Sequence, residues 1–117
     1  MKGNFGDMSN FKLVDYKELF EIHKNRVNLN EKKAKKWLAI NKYRINYRLK
    51  KSAKHDKDIK AIFHFSASSC NWDMLKEICI LIAANNTNYS ATYYRSDLMT
   101  VDLEINVRLG GVVYGTT

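Results

Sequence analysis

The spacing of apolar residues changes along the chain, and this change constrains the fold more than any other feature of the sequence. Over residues 16–39 the apolar side chains recur at intervals of three and four, as in helices that bury one face. Over residues 42–50 every second side chain is apolar, and residues 59–66 and 100–109 largely repeat this alternation. Because alternation is typical of half-buried strands, the sequence predicts helices packed against a sheet.

Breaks between these patterns give the expected order of elements. Asp15 and Glu18 have the spacing of a capping box that opens a first helix, and the asparagines at 28 and 30 separate it from a second helix. The later elements are expected as a hairpin of strands 42–50 and 59–66, a helix over about 70–85, strands 89–95 and 100–109, and a short edge strand at 112–114. The predicted class is α+β, with the order α-α-β-β-α-β-β and helices on one face of an antiparallel sheet of four to five strands.

The N-terminal residues lack the apolar pattern of the rest of the chain. Residues 1–10 hold two glycines and show no apolar period, so we expect a flexible N-terminal arm there. Residues 11–117 are expected to form a single α+β domain, since 117 residues are too few for two ordinary domains.

In the predicted strand 42–50, Tyr43 and Tyr47 belong to the buried face and Arg44 and Arg48 to the exposed face.

Positive charge is concentrated in one segment of the chain. The whole chain has a formal net charge of +8, and residues 31–60 carry twelve lysines and arginines against three acids. A block this concentrated predicts an electropositive surface that attracts polyanions. The candidate nucleic-acid-binding residues are Lys32, Lys33, Lys35, Lys36, Lys42, Arg44, Arg48, Lys50, Lys51 and Lys54.

The charge map favours a small basic intracellular protein that binds DNA or RNA mainly through phosphate contacts, without catalysis. The alternative is an inhibitor or adaptor encoded by a phage or mobile element. Such a protein would bind a host nucleoprotein or enzyme, for example a defence nuclease complex, and block its nucleic-acid site. The absence of proline and the twelve asparagines fit the AT-rich genomes that are common among phages and mobile elements. An acidic protein surface would then be the partner of the basic segment.

The sequence is also compatible with a second mode of DNA binding. The two expected N-terminal helices followed by a hairpin have the order of a winged helix-turn-helix. In that arrangement the basic helix over 31–39 would enter a major groove, and the hairpin would act as the wing. Its test in the structure is a turn between the two helices.

Catalysis has less support in the sequence than binding. The strongest candidate cluster is His64 with Asp102 and Glu104, which the strand alternation places on polar faces and which together offer ligands for a divalent ion. Cys70 and Cys79 are nine residues apart, which is neither a CxxC nor a zinc spacing. We therefore expect no catalytic residue, no metal site and no cofactor.

The cysteine content and the apolar stretches indicate the cellular compartment of the protein. Two cysteines do not form a disulfide framework, and no apolar run follows the first residues as it would in a signal peptide. The longest apolar stretch, residues 78–84, is too short to span a bilayer. A cytoplasmic protein without a membrane partner is expected, and the oligomeric state is left open.

Overall fold

One long helix dominates the fold. The computed structural model describes residues 12–109, and the first element, α1, runs without interruption from Tyr16 to His55. The other elements follow in the order β1 (Ile59–Ser66), α2 (Trp72–Asn85), β2 (Tyr89–Arg95) and β3 (Thr100–Val107). The expected arm at residues 1–10 and the expected short strand at 112–114 lie outside the described residues.

The predicted strand over 42–50 is wrong, because these residues belong to α1. Ile45 and Leu49 are four residues apart, a spacing that lies on one face of a helix as well as on one face of a strand. In α1 they extend the inward line of Asn41 and Ser52, whereas Tyr43 and Tyr47 point outward and are 84% and 66% exposed. No glycine or proline interrupts residues 16–55, and the lysines, arginines and leucines of this segment favour a helix.

The predicted break between two N-terminal helices is also absent. Asn30 is buried within α1, and its side-chain oxygen accepts a hydrogen bond of 3.1 Å from the amide of Asn71. The asparagine that was expected to end a helix instead satisfies a polar contact with the residue that caps α2. Because the two segments form one continuous helix, the helix-turn-helix arrangement is wrong, and the expected hairpin wing does not exist.

The sheet has three strands within residues 12–109, in the spatial order β1-β3-β2, with both neighbouring pairs antiparallel. The expected α+β class and antiparallel sheet are therefore confirmed, but four to five strands are not. Leu103 of the central strand lies opposite Phe63 on one side and Tyr93 on the other. Since β1 and β2 both run antiparallel to β3, they are parallel to each other, and α2 makes the crossover between them.

The core lies between the helices and one face of the sheet. Val101, Leu103 and Ile105 of β3 are at most 1% exposed, and they meet Leu75 and Ile78 of α2, which are fully buried. Side chains of this size each contribute about 1.5–3 kcal/mol when they are fully buried. The strand alternation therefore predicts the inward face of β1 and β3 correctly, because burial on one face imposes a period of two.

Helix α1 covers the outer edge of β1. Ser52 Oγ accepts a hydrogen bond of 3.0 Å from the backbone N–H of Lys60, and a guanidinium nitrogen of Arg48 donates to the carbonyl of Ile62. The Arg48 guanidinium also lies over the Phe63 ring, 4.3 Å from its centroid. These contacts satisfy edge groups of the strand and fix the rotation of α1, so the opposite side of the helix faces solvent.

The N-terminal part of α1 extends away from the sheet. No residue from 12 to 26 is buried. The 40 residues of α1 correspond to about 60 Å of helix, of which only the part from Asn30 onward contains buried residues. Neither α1 nor α2 is long and apolar enough to cross a membrane.

Candidate nucleic-acid interface

The outward side of α1 carries a dense array of lysines. Residues 32–55 contain eight lysines and two arginines without a single aspartate or glutamate. At 100° per residue, four of these lysines lie about 160° from Ala34, which is fully buried on the inward line, and three others lie about 80–100° from it. We call these seven exposed residues the basic face: Lys32, Lys33, Lys36, Lys42, Lys50, Lys51 and Lys54.

Three other predicted site residues already have partners in the fold. Arg48 is held by Ile62 and Phe63 at the sheet edge. Arg44 donates a hydrogen bond of 2.8 Å to the side-chain oxygen of Asn41, and its guanidinium lies 5.3 Å from the centroid of the Phe63 ring. Lys35 forms an ion pair of 3.1 Å with Glu31 one turn earlier. These side chains are therefore less free to bind an external phosphate than the lysines of the basic face.

Two tyrosines, Tyr43 and Tyr47, belong to the same surface. The prediction of a strand over 42–50 placed both on the buried face instead. Tyr43 and Tyr47 lie between Lys36 and Lys50 along the helix, and both rings are largely exposed. Tyr43 is displaced from Lys36 and from Lys50 by seven residues, which is about two helical turns, so the three side chains line up. A helical projection of residues 32–54 reveals this alignment, but the alternating pattern in 42–50 conceals it.

The length of the basic face matches a structural repeat of nucleic acid. Lys32 and Lys54 are separated by 22 residues, which correspond to about 33 Å along a helix axis. One turn of a B-form duplex rises about 34–36 Å. The contacts that hold α1 against α2 and the sheet run from Asn30 to Ser52, so this part of the helix is supported along its whole length. The basic face is thus a rigid row of charges about one duplex turn long.

A shallow recess lies at the C-terminal end of the basic face. It is lined by Lys50, Lys51 and Lys54 together with Tyr47 and His55. Lys50 and Lys54 are one helical turn apart and Lys51 is adjacent to Lys50, so three ammonium groups border the recess, and the tyrosine hydroxyl supplies a further hydrogen-bond donor. A group with several acceptor oxygens, such as a phosphate, satisfies this combination of donors.

The open face of the sheet carries His64, Asp102 and Glu104, the residues that the sequence suggests as a catalytic cluster. His64 and Asp102 are cross-strand neighbours, and Nδ1 of the histidine lies 2.6 Å from Oδ1 of the aspartate. Ser96 donates a hydrogen bond of 3.0 Å to the same oxygen, so this nearly buried carboxylate is satisfied. Glu104 accepts a hydrogen bond of 2.9 Å from the hydroxyl of Tyr94, and this bond raises the pKa of the tyrosine.

In this arrangement His64, Asp102 and Glu104 each form a hydrogen bond with another side chain of the protein, and they are not arranged around a common metal ion. Within residues 12–109 no group of three or more His, Cys, Asp or Glu side chains is placed to hold a metal ion. Burial raises the pKa of the Cys79 thiol to about 11, so this cysteine is protonated at neutral pH and is a poor nucleophile. The metal-dependent cleavage hypothesis therefore has no geometric support in the described part of the chain.

Relatives do not supply a function for this chain. Comparisons with protein-family models, with curated proteins and with solved structures found no match. A functional assignment therefore depends on the chemistry of the basic face and of the sheet.

Proposed function

We propose that the protein binds nucleic acid through phosphate contacts made by the basic face of α1, without catalysing a reaction. The observation that carries this proposal is the presence of seven exposed lysines on one side of a helical segment that contains no acid. A solvated surface helix normally mixes both signs of charge, because Glu–Lys pairs one turn apart stabilise it. Here the cations repel one another along the helix, and a bound polyanion relieves that repulsion.

The proposed contacts bind the sugar–phosphate backbone rather than the bases. Lysine ammonium groups are flexible point charges, so they contact phosphates without the fixed planar geometry that reads a base pair. Arg44 and Arg48, the side chains best suited to bidentate contacts with guanine, are engaged at the sheet edge. Asn46 is exposed beside the basic face and is a candidate for contact with a base edge. The proposal therefore predicts weak sequence preference.

The rigidity of α1 strengthens the electrostatic argument. If four to six of the lysines reach phosphates, the counterions released from a duplex give a salt slope of about −4 to −5. Because the row of charges is preformed and about one duplex turn long, little ordering of the protein opposes binding. A duplex shorter than about ten base pairs cannot contact both ends of the row at once, so affinity should fall below that length.

Tyr43 and Tyr47 suit unpaired bases at the centre of the row. Exposed aromatic rings stack on bases of any sequence, and each stacked base contributes about 1–3 kcal/mol. Their hydroxyl groups can also donate to phosphate oxygens when the ligand is a duplex. A comparison of single-stranded with double-stranded ligands therefore separates stacking from purely electrostatic contacts.

The direct experiment compares two variants with the same change in net charge. The first variant replaces Lys32, Lys36, Lys50 and Lys54 with alanine, which removes the four lysines that lie farthest around the helix from the buried Ala34. The control replaces four exposed cations that lie elsewhere: Lys24, Lys76, Arg95 and Arg108. Fluorescence anisotropy measures binding to labelled 24-base-pair DNA and RNA duplexes and to single strands, and circular dichroism verifies the fold of each variant.

The proposal predicts that the first variant loses at least about 100-fold in affinity at 0.1 M salt, because about four phosphate contacts disappear. The control is expected to stay within about threefold of the unmodified protein, since general charge attraction contributes less than placed contacts. Equal losses in the two variants would show that net charge alone drives binding. Absence of binding to every ligand at low salt would refute the proposal.

The inhibitor or adaptor interpretation makes a different prediction for the same proteins. In that interpretation the basic face binds an acidic protein surface or occupies a nucleic-acid site on another protein. The unmodified chain would then show no appreciable affinity for free nucleic acid. The row of outward lysines is compatible with both functions, and the binding experiment discriminates between them.

A further inference from the structure

The part of α1 that extends beyond the sheet carries an apolar stripe. The stripe consists of Tyr16, Leu19, Phe20, His23 and Val27, spaced by three and four residues. Tyr16, Leu19 and Phe20 are 76%, 51% and 51% exposed. The stripe continues the inward line of α1 that, from Asn30 onward, packs on α2 and the sheet. The same face of one helix is thus covered by the domain at one end and bare at the other.

A bare stripe of this kind is unfavourable in water. Residues 16–26 form about three helical turns with no buried residue, so they lack the packing of an apolar face that supplies most of the stability of helices in proteins. Leu13, three residues before the first residue of the helix, is 78% exposed and enlarges the apolar surface. A partner that covers the stripe would stabilise both the helix and these apolar side chains.

We propose that a second copy of this chain covers the stripe, with the two N-terminal helical segments packed antiparallel about a two-fold axis. An antiparallel pair places Tyr16 of one copy near Val27 of the other and Phe20 near His23. All five stripe residues of each copy then lie in the contact. This spacing is that of the inward positions in antiparallel coiled coils.

The position of the domain selects the antiparallel orientation. In each copy, α2 and the sheet lie on the same side of α1 as the stripe, beginning near Asn30. A parallel pair would bring both domains into the same space between the helices, where they would clash. An antiparallel pair places the two domains at opposite ends, and each helix ends where the partner's domain begins.

The exposed apolar area is consistent with this arrangement. The bare stripe ends at a recess between α1 and α2 whose lining holds two cations and two acids, Arg26, Lys76, Asp73 and Glu77. Because these charges balance, apolar contact rather than charge would hold the partner. The exposed apolar side chains at 13, 16, 19 and 20 offer on the order of 500 Å² per copy, so two copies approach the roughly 1,000 Å² that a specific interface needs.

The oligomeric state of the full chain tests the proposal. Sedimentation velocity in 0.5 M salt after nuclease treatment removes association that is bridged by nucleic acid. The proposal predicts twice the chain mass of 13.6 kDa for the unmodified protein and for Asn25→Glu, a substitution on the opposite side of the same turns. Phe20→Glu is expected to weaken the dimer at least 100-fold. A monomer at 100 µM, or a dimer that Phe20→Glu leaves intact, would overturn the proposal.

Disulfide trapping tests the orientation in a background of Cys70→Ser and Cys79→Ala that retains the helical circular dichroism signal. Tyr16→Cys combined with Val27→Cys is expected to form a covalent dimer under mild oxidation. Either substitution alone is expected not to, because each position faces a different residue of the partner. Efficient cross-linking by each single variant would indicate a parallel pair and would overturn the proposed arrangement.

Discussion

Arg48 is expected to stabilise the fold far more than its neighbour Tyr47, although tyrosine is the more apolar residue. In Arg48→Ala the carbonyl of Ile62 loses a charged donor, and the Phe63 ring loses the guanidinium stacked on it. A hydrogen bond from a charged group contributes about 1.5–3 kcal/mol, and a partly desolvated cation–π contact about 0.5–2 kcal/mol. Because Arg48 is only half-buried, we expect a loss of about 2–3 kcal/mol in the free energy of unfolding.

Tyr47→Ala provides the matched comparison, since this ring is 66% exposed and its loss is expected to cost no more than about 0.5 kcal/mol. Urea titration followed by circular dichroism measures both variants. With a slope of about 1.5 kcal/mol per molar, Arg48→Ala lowers the unfolding midpoint by about 1.3–2 M. Arg48→Lys retains the charge but not the planar stack, so it should fall between the two. Equal losses, or a larger loss for Tyr47→Ala, would refute the helical assignment of this segment.

Three further outcomes follow from individual contacts. Asn71→Ala should destabilise the protein by about 1–2 kcal/mol in thermal unfolding, because the Asn71 side chain caps α2 by accepting a hydrogen bond of 3.0 Å from the N–H of Met74; an unchanged melting temperature would contradict this. Tyr43→Ala should weaken single-strand binding about fivefold or more in anisotropy measurements whereas Tyr43→Phe should not, and equal effects would exclude stacking. Cys79 should resist iodoacetamide at pH 8, and rapid alkylation of the folded protein at this pH would contradict the account. The contribution of Cys79 to stability should fall as pH rises from 9 to 11, because the pKa of the thiol is 9.0 in the unfolded chain and about 11 in the folded protein.

The sequence predicts correctly the strands in which apolar alternation and strand-forming composition agree. Val101, Leu103 and Ile105 of β3 alternate with polar residues, and half of the residues of this strand are β-branched, so β3 is predicted correctly. The segment 42–50 satisfies both periods, because Ile45 and Leu49 are four residues apart. Its helical state is decided by the context: the helix that precedes it continues without a break, and Leu49 and Ser52 pack against the sheet. Such tertiary contacts override a local pattern.

The candidate interface is predictable in its composition but not in its geometry. The excess of lysines in residues 31–60 is visible in the sequence, since it needs no knowledge of the fold. Which cations are free depends on packing: Arg48 looks exposed in an alternating strand but covers Phe63 in the folded chain. The rings of Tyr43 and Tyr47 make the opposite change, from an expected buried face to the centre of the basic face.

The salt dependence of duplex binding tests the central claim most directly. The claim is that four to six lysines of the basic face neutralise phosphates, so the slope of log K against log salt concentration reports how many contacts form. For a 24-base-pair DNA duplex we expect a slope of about −4 to −5 for the unmodified protein. Replacement of Lys32, Lys36, Lys50 and Lys54 should make this slope shallower by about 3–4, since each lost phosphate contact changes it by about 0.9. A slope that is the same in this variant and in the unmodified protein would contradict the account.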